Sequence, residues 1–257
     1  MRQAAKRVLQ AMTARFYGTR PLSSWPAFLA RLHEIRLPRS IDPQRSCSAS
    51  GSVNITILIA MIDQTLAVPG DVAECGAYRG NSLVPMAIYL RQKGSPKKIL
   101  GFDSFEGFSE SIQIDLELGG ANLDSDQKVG GLSDTSLELV QSKIDRFHLT
   151  NVELVKGYFE ESLQRYQDHQ FSFVHLDCDM CSSYKECLQF FYPRLASNAV
   201  LLLDEYDDPA WPGCNKAVDE FLSGKPERVQ PIVRDNYQKF FFVKCDAASP
   251  HVRGASA

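Results

Sequence analysis

The stretch "FSFVHLDCDMCSSYKECLQFFYPRLASNAVLLLDEY" (Phe171–Tyr206) decides the fold. "FSFVHLDCD" is an apolar run that ends in acids. "SSYKECLQFFYPRL" is long enough for a helix, and "NAVLLLDEY" is a second apolar run that ends in acids. Two apolar strands joined by a helix form a parallel pair, because parallel strands need a crossover connection and are covered on both faces.

The same alternation extends in both directions. Upstream, "DVAEC", "KKILGFDSF" and "NVELVKGYF" read as strands. "NSLVPMAIYLRQK", "SLELVQSKIDRF" and "EESLQRY" read as the helices among them. Pro85 is expected to bend the first of these helices. Ser133 or Asp134 is the expected N-cap of the second. Downstream, "GCNKAVDEFLS" is a helix, and "RVQPIVR" and "QKFFFVKC" follow with only a turn-like "DNY" between them. Lacking a crossover, this last pair should form an antiparallel hairpin. The fold class is therefore α/β, with a mostly parallel sheet, helices on both faces and a C-terminal antiparallel hairpin. Ser109–Ser133 is rich in Gly, Asp and Ser and reads as a long loop, a candidate lid.

The first 66 residues read as an N-terminal helical appendage, with "AFLARLHEI" and "VNITILIAMIDQTL" as its helices and prolines between. Residues 67–257 then form one domain, which 257 residues with 44% hydrophobic content can fill. The basic start of the chain lacks the long apolar core of a secretory signal. It has the acid-poor character of a mitochondrial presequence, but a surface helix is the simpler reading. No apolar run approaches the ~20 residues that span a bilayer. With 28 basic and 31 acidic residues there is no basic excess to mark a nucleic-acid partner. Seven cysteines in no dense framework suit reduced thiols and a cytoplasmic location. Homo-oligomerisation is left open.

In open α/β sheets ligands bind outside the carboxyl ends of the strands. The first strand ends "AECGAYRGNS", where Gly76 and Gly80 allow a tight turn and close backbone approach. The second ends "GFDSFEG", with Asp103 placed 27 residues after Gly76 to accept ribose hydroxyls. Together they point to an adenosine-containing cofactor. "GAYRG" lacks the full G-x-G-x-x-G of a dinucleotide site, and Glu74 suits a cationic amino-acid tail such as that of S-adenosylmethionine.

Asp177 ends one buried strand, and Asp204 and Glu205 end the next, 27 residues on. Adjacent strands lie about 5 Å apart, so the three carboxylates can meet at one rim. Crowded acids repel unless a cation lies among them, and an oxygen-only set suits Mg²⁺. Solvated loop acids or helix caps are the plainer alternative. Cys178 and Cys181 form a C-x-x-C in the same stretch, but a zinc site needs a second ligand pair and none is present. The thiols read as structural, with redox chemistry the lesser option.

"GDVAECGAYRGNS", "GFDSFEGF", "VELVKGYFEESL", "HLDCDMCSSYKECLQFFYPRL" and "LLLDEYDDPAWPGCNKAVDEF" together resemble the macrocin O-methyltransferase (TylF-type) family from about Gly70 to Leu222. The resemblance implies a class I methyltransferase, Rossmann-like fold and a methyl transfer from S-adenosylmethionine, with Mg²⁺, to a hydroxyl of a sugar or sugar-bearing natural product. It implies that Glu74, Cys75, Gly76, Ala77 and Tyr78, with Asp103, Ser104, Phe105 and Glu106, hold the cofactor. Tyr158 and Phe159 would flank its adenine, and Asp177 would border it. Asp177, Asp204 and Glu205 would bind the metal, and Asp179 would be the catalytic general base. The family usually shows two aspartates where this chain has Asp204 and Glu205. Catechol-type methyltransferases, similar in fold, usually carry a lysine where this chain has Met180, which favours Asp179 as the base.

Three other readings stay open on sequence. One is a non-catalytic cofactor-binding protein of the same fold. Another is a methyltransferase acting on an aromatic or other small-molecule hydroxyl. The last is a nicotinamide reductase, which should bind NAD(P)H.

Overall fold

The computed structural model describes residues 51–109, 112–118, 129–234 and 237–245. The helix expected at "AFLARLHEI" and the start of the chain lie outside these residues. So do 110–111 and 119–128 of the expected loop.

The described chain runs α1 (Gly51–Thr65), β1 (Asp71–Cys75), α2 (Leu83–Gln92), β2 (Ile99–Asp103), α3 (Gln113–Glu117), α4 (Leu137–Arg146) and β3 (Val152–Lys156). It continues through α5 (Phe159–Ser162), β4 (Phe171–Leu176), α6 (Cys181–Phe191), β5 (Leu195–Leu203), α7 (Pro212–Leu222), β6 (Gln230–Arg234) and β7 (Tyr237–Val243). The seven strands form one sheet in the order β3-β2-β1-β4-β5-β7-β6. The first five pair parallel, and β7 pairs antiparallel to both β5 and β6. The expected parallel sheet with a late hairpin is what forms. The hairpin inserts β7, not β6, beside β5.

The period-two alternation of the strands divides the core into two layers. Val72, Phe173, Val200 and Leu202 face the cluster that contains α1, α2 and α4. Ala73, Val174, Leu201 and Leu203 face the cluster that contains α6 and α7. All six residues of β4 are buried, as expected for the central strand of a sheet covered on both faces. α1 supplies Ile55, Ile57, Leu58, Ile59, Met61 and Ile62 to the first of these layers. The one described element of the N-terminal appendage is thus part of the sheet's packing.

Three local expectations change. Pro85 falls in the first turn of α2, where a missing N–H costs no intrahelical bond, so it has no reason to bend the helix. The N-cap of α4 is Ser136, whose Oγ accepts from Leu139 N–H at 3.1 Å, and not Ser133 or Asp134. Within the expected loop, α3 buries Asp115 against the start of α6, where both carboxylate oxygens accept from the Cys181 N–H at 3.1 and 3.0 Å.

Candidate active site

The strand ends meet because the register leaves them level. Leu176 pairs with Leu203, so Asp177 and Asp204 leave the sheet side by side. The Asp204 N–H donates to the Leu176 carbonyl and the Asp177 N–H to the Cys75 carbonyl, each at 2.9 Å. Gly76 has φ +95°, and a Cβ there would stand 1.7 Å from the Asp177 carbonyl oxygen. Only glycine lets the β1 turn pass so close to the β4 end.

A cavity of about 480 Å³ opens above these strand ends, within the usual range for a small-molecule site. Of the residues singled out from the sequence, Gly76, Ala77, Tyr78, Asp103, Ser104, Tyr158, Phe159, Asp177, Asp179, Asp204 and Glu205 line it. Glu74 and Cys75 do not: both are fully buried beneath its floor. Phe105 is buried in the layer that holds α1, and Glu106 is exposed and paired with Lys156 at 2.9 Å.

Asp103 organises one half of the cavity. Its Oδ2 accepts from the Tyr78 N–H at 2.7 Å, and its Oδ1 from the Phe105 N–H at 2.6 Å. Burial raises its pKa, and the two N–H donors pull against that rise. A carboxylate has about four lone-pair sites, so further capacity is left for a ligand. Both donors sit in the left-handed region, Tyr78 at φ 44° and Phe105 at φ 55°, as does Asp179 at φ 60°. Such strain costs on the order of 1–3 kcal/mol per residue and tends to gather at functional sites. The far side of the β1 turn is tied to the segment before α4. Tyr78 Oη and the Arg79 guanidinium both bond the Asp134 carboxylate, and Thr135 donates to the Tyr78 carbonyl.

The other half is acidic. Oxygens of Asp177, Asp204 and Glu205 all lie within 4.8 Å of one another. Asp204 is the best compensated. Its Oδ1 faces His175 Nε2 at 3.3 Å and Asn54 Nδ2 at 3.4 Å, and its Oδ2 pairs with Lys239 Nζ. Burial opposes its charge, but Lys239 and His175 outweigh burial and hold its pKa well below the usual range. His175 Nδ1 lies 3.0 Å from Glu74 Oε1. Burial works against the imidazolium, yet the Asp204 and Glu74 partners lift its pKa to about 10, so both ring nitrogens donate at neutral pH. Asp177 is raised to about 7 by burial and by the charge of Asp204. Burial, with Asp177 and Asp204, pushes Asp179 far up; burial, with Asp204 and Asp179, does the same to Glu205. Glu205 is fixed by Tyr184, whose Oη lies 2.7 Å from Oε2.

Sequence reasoning missed His175, Lys239, Tyr184 and Asn54. His175 precedes Asp177 by two residues and so shares its face of β4, a signal that was legible. The others carry no local mark. The thiols of the C-x-x-C are buried, and burial raises both pKa values, which keeps them protonated and unreactive.

The family model described as Macrocin-O-methyltransferase (TylF) matches residues 40–241. The chain belongs to this family. Among its TylF relatives is an 8-demethyl-8-(2,3-dimethoxy-alpha-L-rhamnosyl)-tetracenomycin-C 4'-O-methyltransferase of Streptomyces olivaceus. It is 29% identical over 161 residues, 60% of this chain and 58% of that protein. A mycinamicin III 3''-O-methyltransferase of Micromonospora griseorubida is 28% identical over 158 residues, 60% of this chain and 61% of that protein. The matches thus span about six tenths of the length of these relatives. A solved calicheamicin methyltransferase superposes with a TM-score of 0.65 at 21% identity, over 90% of this chain and 96% of that one. The O-methyltransferase NovP superposes at 0.61 and 21%, over 75% and 80%. These likenesses establish the class I methyltransferase, Rossmann-like fold.

Proposed function

We propose that this TylF-family protein transfers a methyl group from S-adenosylmethionine to a hydroxyl of a sugar or sugar-bearing natural product, with Mg²⁺ in the carboxylate cluster. One observation carries the reading: the Gly76 turn with Asp103 and the cluster of Asp177, Asp204 and Glu205 share a single cavity. The relative named as a 4'-O-methyltransferase of a rhamnosyl-tetracenomycin supports the acceptor class.

The residues fit both groups. The cavity has the volume of a small-molecule site, and Asp103 keeps acceptor capacity on its wall. Three desolvated carboxylates whose oxygens converge, two of them with raised pKa, hold negative charge that a hard divalent ion relieves. The sulfonium cofactor supplies the methyl group. The cation, when bound, lowers the pKa of a hydroxyl that touches it.

The rest falls to the chain. Gly76, Ala77 and Tyr78 would hold the amino-acid end of the cofactor, Asp103 would accept its ribose hydroxyls, and Tyr158 and Phe159 would flank its adenine; all six line the cavity. Glu74 acts from beneath the floor through His175 and not by touching the cofactor. Asp179, desolvated and crowded by Asp177 and Asp204, has the raised proton affinity of a general base at the rim. Residues 67–257 form the catalytic domain. Of the appendage at residues 1–66, the described helix α1 lends Asn54 and Ile55 to the wall. From the described part of Ser109–Ser133, Ser109 and Leu132 reach the cavity wall. Cys75, Cys178, Cys181, Cys187 and Cys214 are buried thiols outside any disulfide, which suits a cytoplasmic enzyme; its partners are small molecules, not nucleic acid or membrane. Among the described residues no helix is long and apolar enough to cross a membrane.

The test is binding followed by turnover. S-adenosylhomocysteine should raise the melting temperature, since a ligand of the native state alone stabilises it. Asp103→Ala should weaken that shift. Asp177→Asn should need more Mg²⁺, whereas Asp179→Asn should keep cofactor and metal binding and lose turnover by ~10²–10⁴-fold. No melting shift at saturating S-adenosylhomocysteine would overturn the reading.

A further inference from the structure

Lys239 has no part in the reading above, yet it sits in the cavity wall. It lies on β7, in a strand of aromatic and apolar neighbours, with its side chain only 6% exposed. Its Nζ donates to the Asp204 backbone carbonyl at 2.8 Å and pairs with Asp204 Oδ2. The other carboxylate oxygen, Oδ1, is held independently by His175 and Asn54. Asp204 is therefore oriented without Lys239. What Lys239 adds is charge.

We propose that Lys239 is a resident counter-cation, which occupies Asp204 in the cation-free protein and withdraws from Oδ2 when a divalent ion enters the carboxylate cluster. The inference rests on the proposed metal site. Two cations on one carboxylate repel strongly in a desolvated setting. A lysine can accommodate this, because its ammonium is a point charge with three donors on a flexible stem. Here it can release Oδ2 and keep the Asp204 carbonyl. The device lets the cluster of Asp177, Asp204 and Glu205 fold without metal. In exchange, divalent affinity is lower than three carboxylates alone would give.

Mn²⁺ is the probe, followed by electron paramagnetic resonance of the free ion and by calorimetry, with no cofactor or acceptor present. Lys239→Met removes charge and donor. Lys239→Gln removes charge but keeps an N–H donor, on a stem one atom shorter. Both should bind Mn²⁺ at least about tenfold tighter than wild type. In EDTA both should melt below wild type, and Mn²⁺ should restore more of their stability. A purely orienting lysine gives another pattern: weaker Mn²⁺ binding in Lys239→Met and wild-type binding in Lys239→Gln. That pattern, or equal affinities in all three proteins, overturns the counter-cation role and leaves the metal site standing. No Mn²⁺ binding to any of the three overturns both.

Discussion

Tyr184→Phe removes one buried oxygen atom beside Glu205. Tyr184 lies in α6 and is fully buried. Its hydroxyl donates towards Glu205 Oε2 at 2.7 Å, lies 3.2 Å from the Leu176 carbonyl, and accepts from the Glu205 N–H at 3.2 Å. Phenylalanine fills nearly the same volume, so the cavity contribution is small. The Glu205 N–H is left without its acceptor in a buried setting, which costs about 1–3 kcal/mol. Glu205 Oε2 also loses its short partner, which leaves it, among the described residues, the Asp179 N–H at 3.4 Å. Together these should lower stability by roughly 2–4 kcal/mol. For a chain of this size that is a fall in melting temperature of roughly 5–15 °C. Urea unfolding in EDTA should show a lower midpoint with an unchanged slope. Tyr206→Phe is the control: its hydroxyl bonds Asp219 at 2.8 Å at an exposed position, so its loss should be nearly silent. Equal midpoints for the two variants would refute the claim that desolvation makes the Tyr184 hydroxyl costly to lose.

Other outcomes follow from single features. Gly76→Ala should give no soluble, cooperatively folded protein, since the new Cβ meets backbone at 1.7 Å and φ is +95°; a circular dichroism melt like that of wild type would count against this. His175 has its folded pKa raised to about 10, above its unfolded value of about 6.5. Its stabilisation is therefore full below about pH 6.5 and is lost as pH rises towards 10. Urea midpoints from pH 7 to 10 should fall in wild type and fall less in His175→Gln, and parallel curves would contradict the assignment. Cys178→Ser and Cys181→Ser should keep the proposed methyl-transfer activity, because burial holds both thiols protonated. Dead cysteine variants beside an active Asp179→Asn would mean that the thiols, not the carboxylate, do the chemistry.

The sequence by itself determined the elements and the rim. Apolar runs such as "FSFVHL" and "NAVLLL" mark buried strands because period and hydrophobicity are local properties. The acids that follow them mark the ligand-binding end because parallel sheets bind there. Tertiary structure alone decided what those acids touch. Lys239 reaches Asp204 because β7, not β6, pairs with β5, and no pattern in either strand states that order. Glu74 meets His175 because they are register partners on β1 and β4, 101 residues apart, which takes Glu74 out of the cavity. Asn54 joins the site because α1 packs into the sheet's own core layer. Even the cap of α4 is Ser136 and not Ser133 or Asp134, because the helix begins at Leu137, while Asp134 is engaged by Tyr78 and Arg79. Each of these partners depends on register and packing between distant segments, and the free energy that selects them belongs to the assembled core.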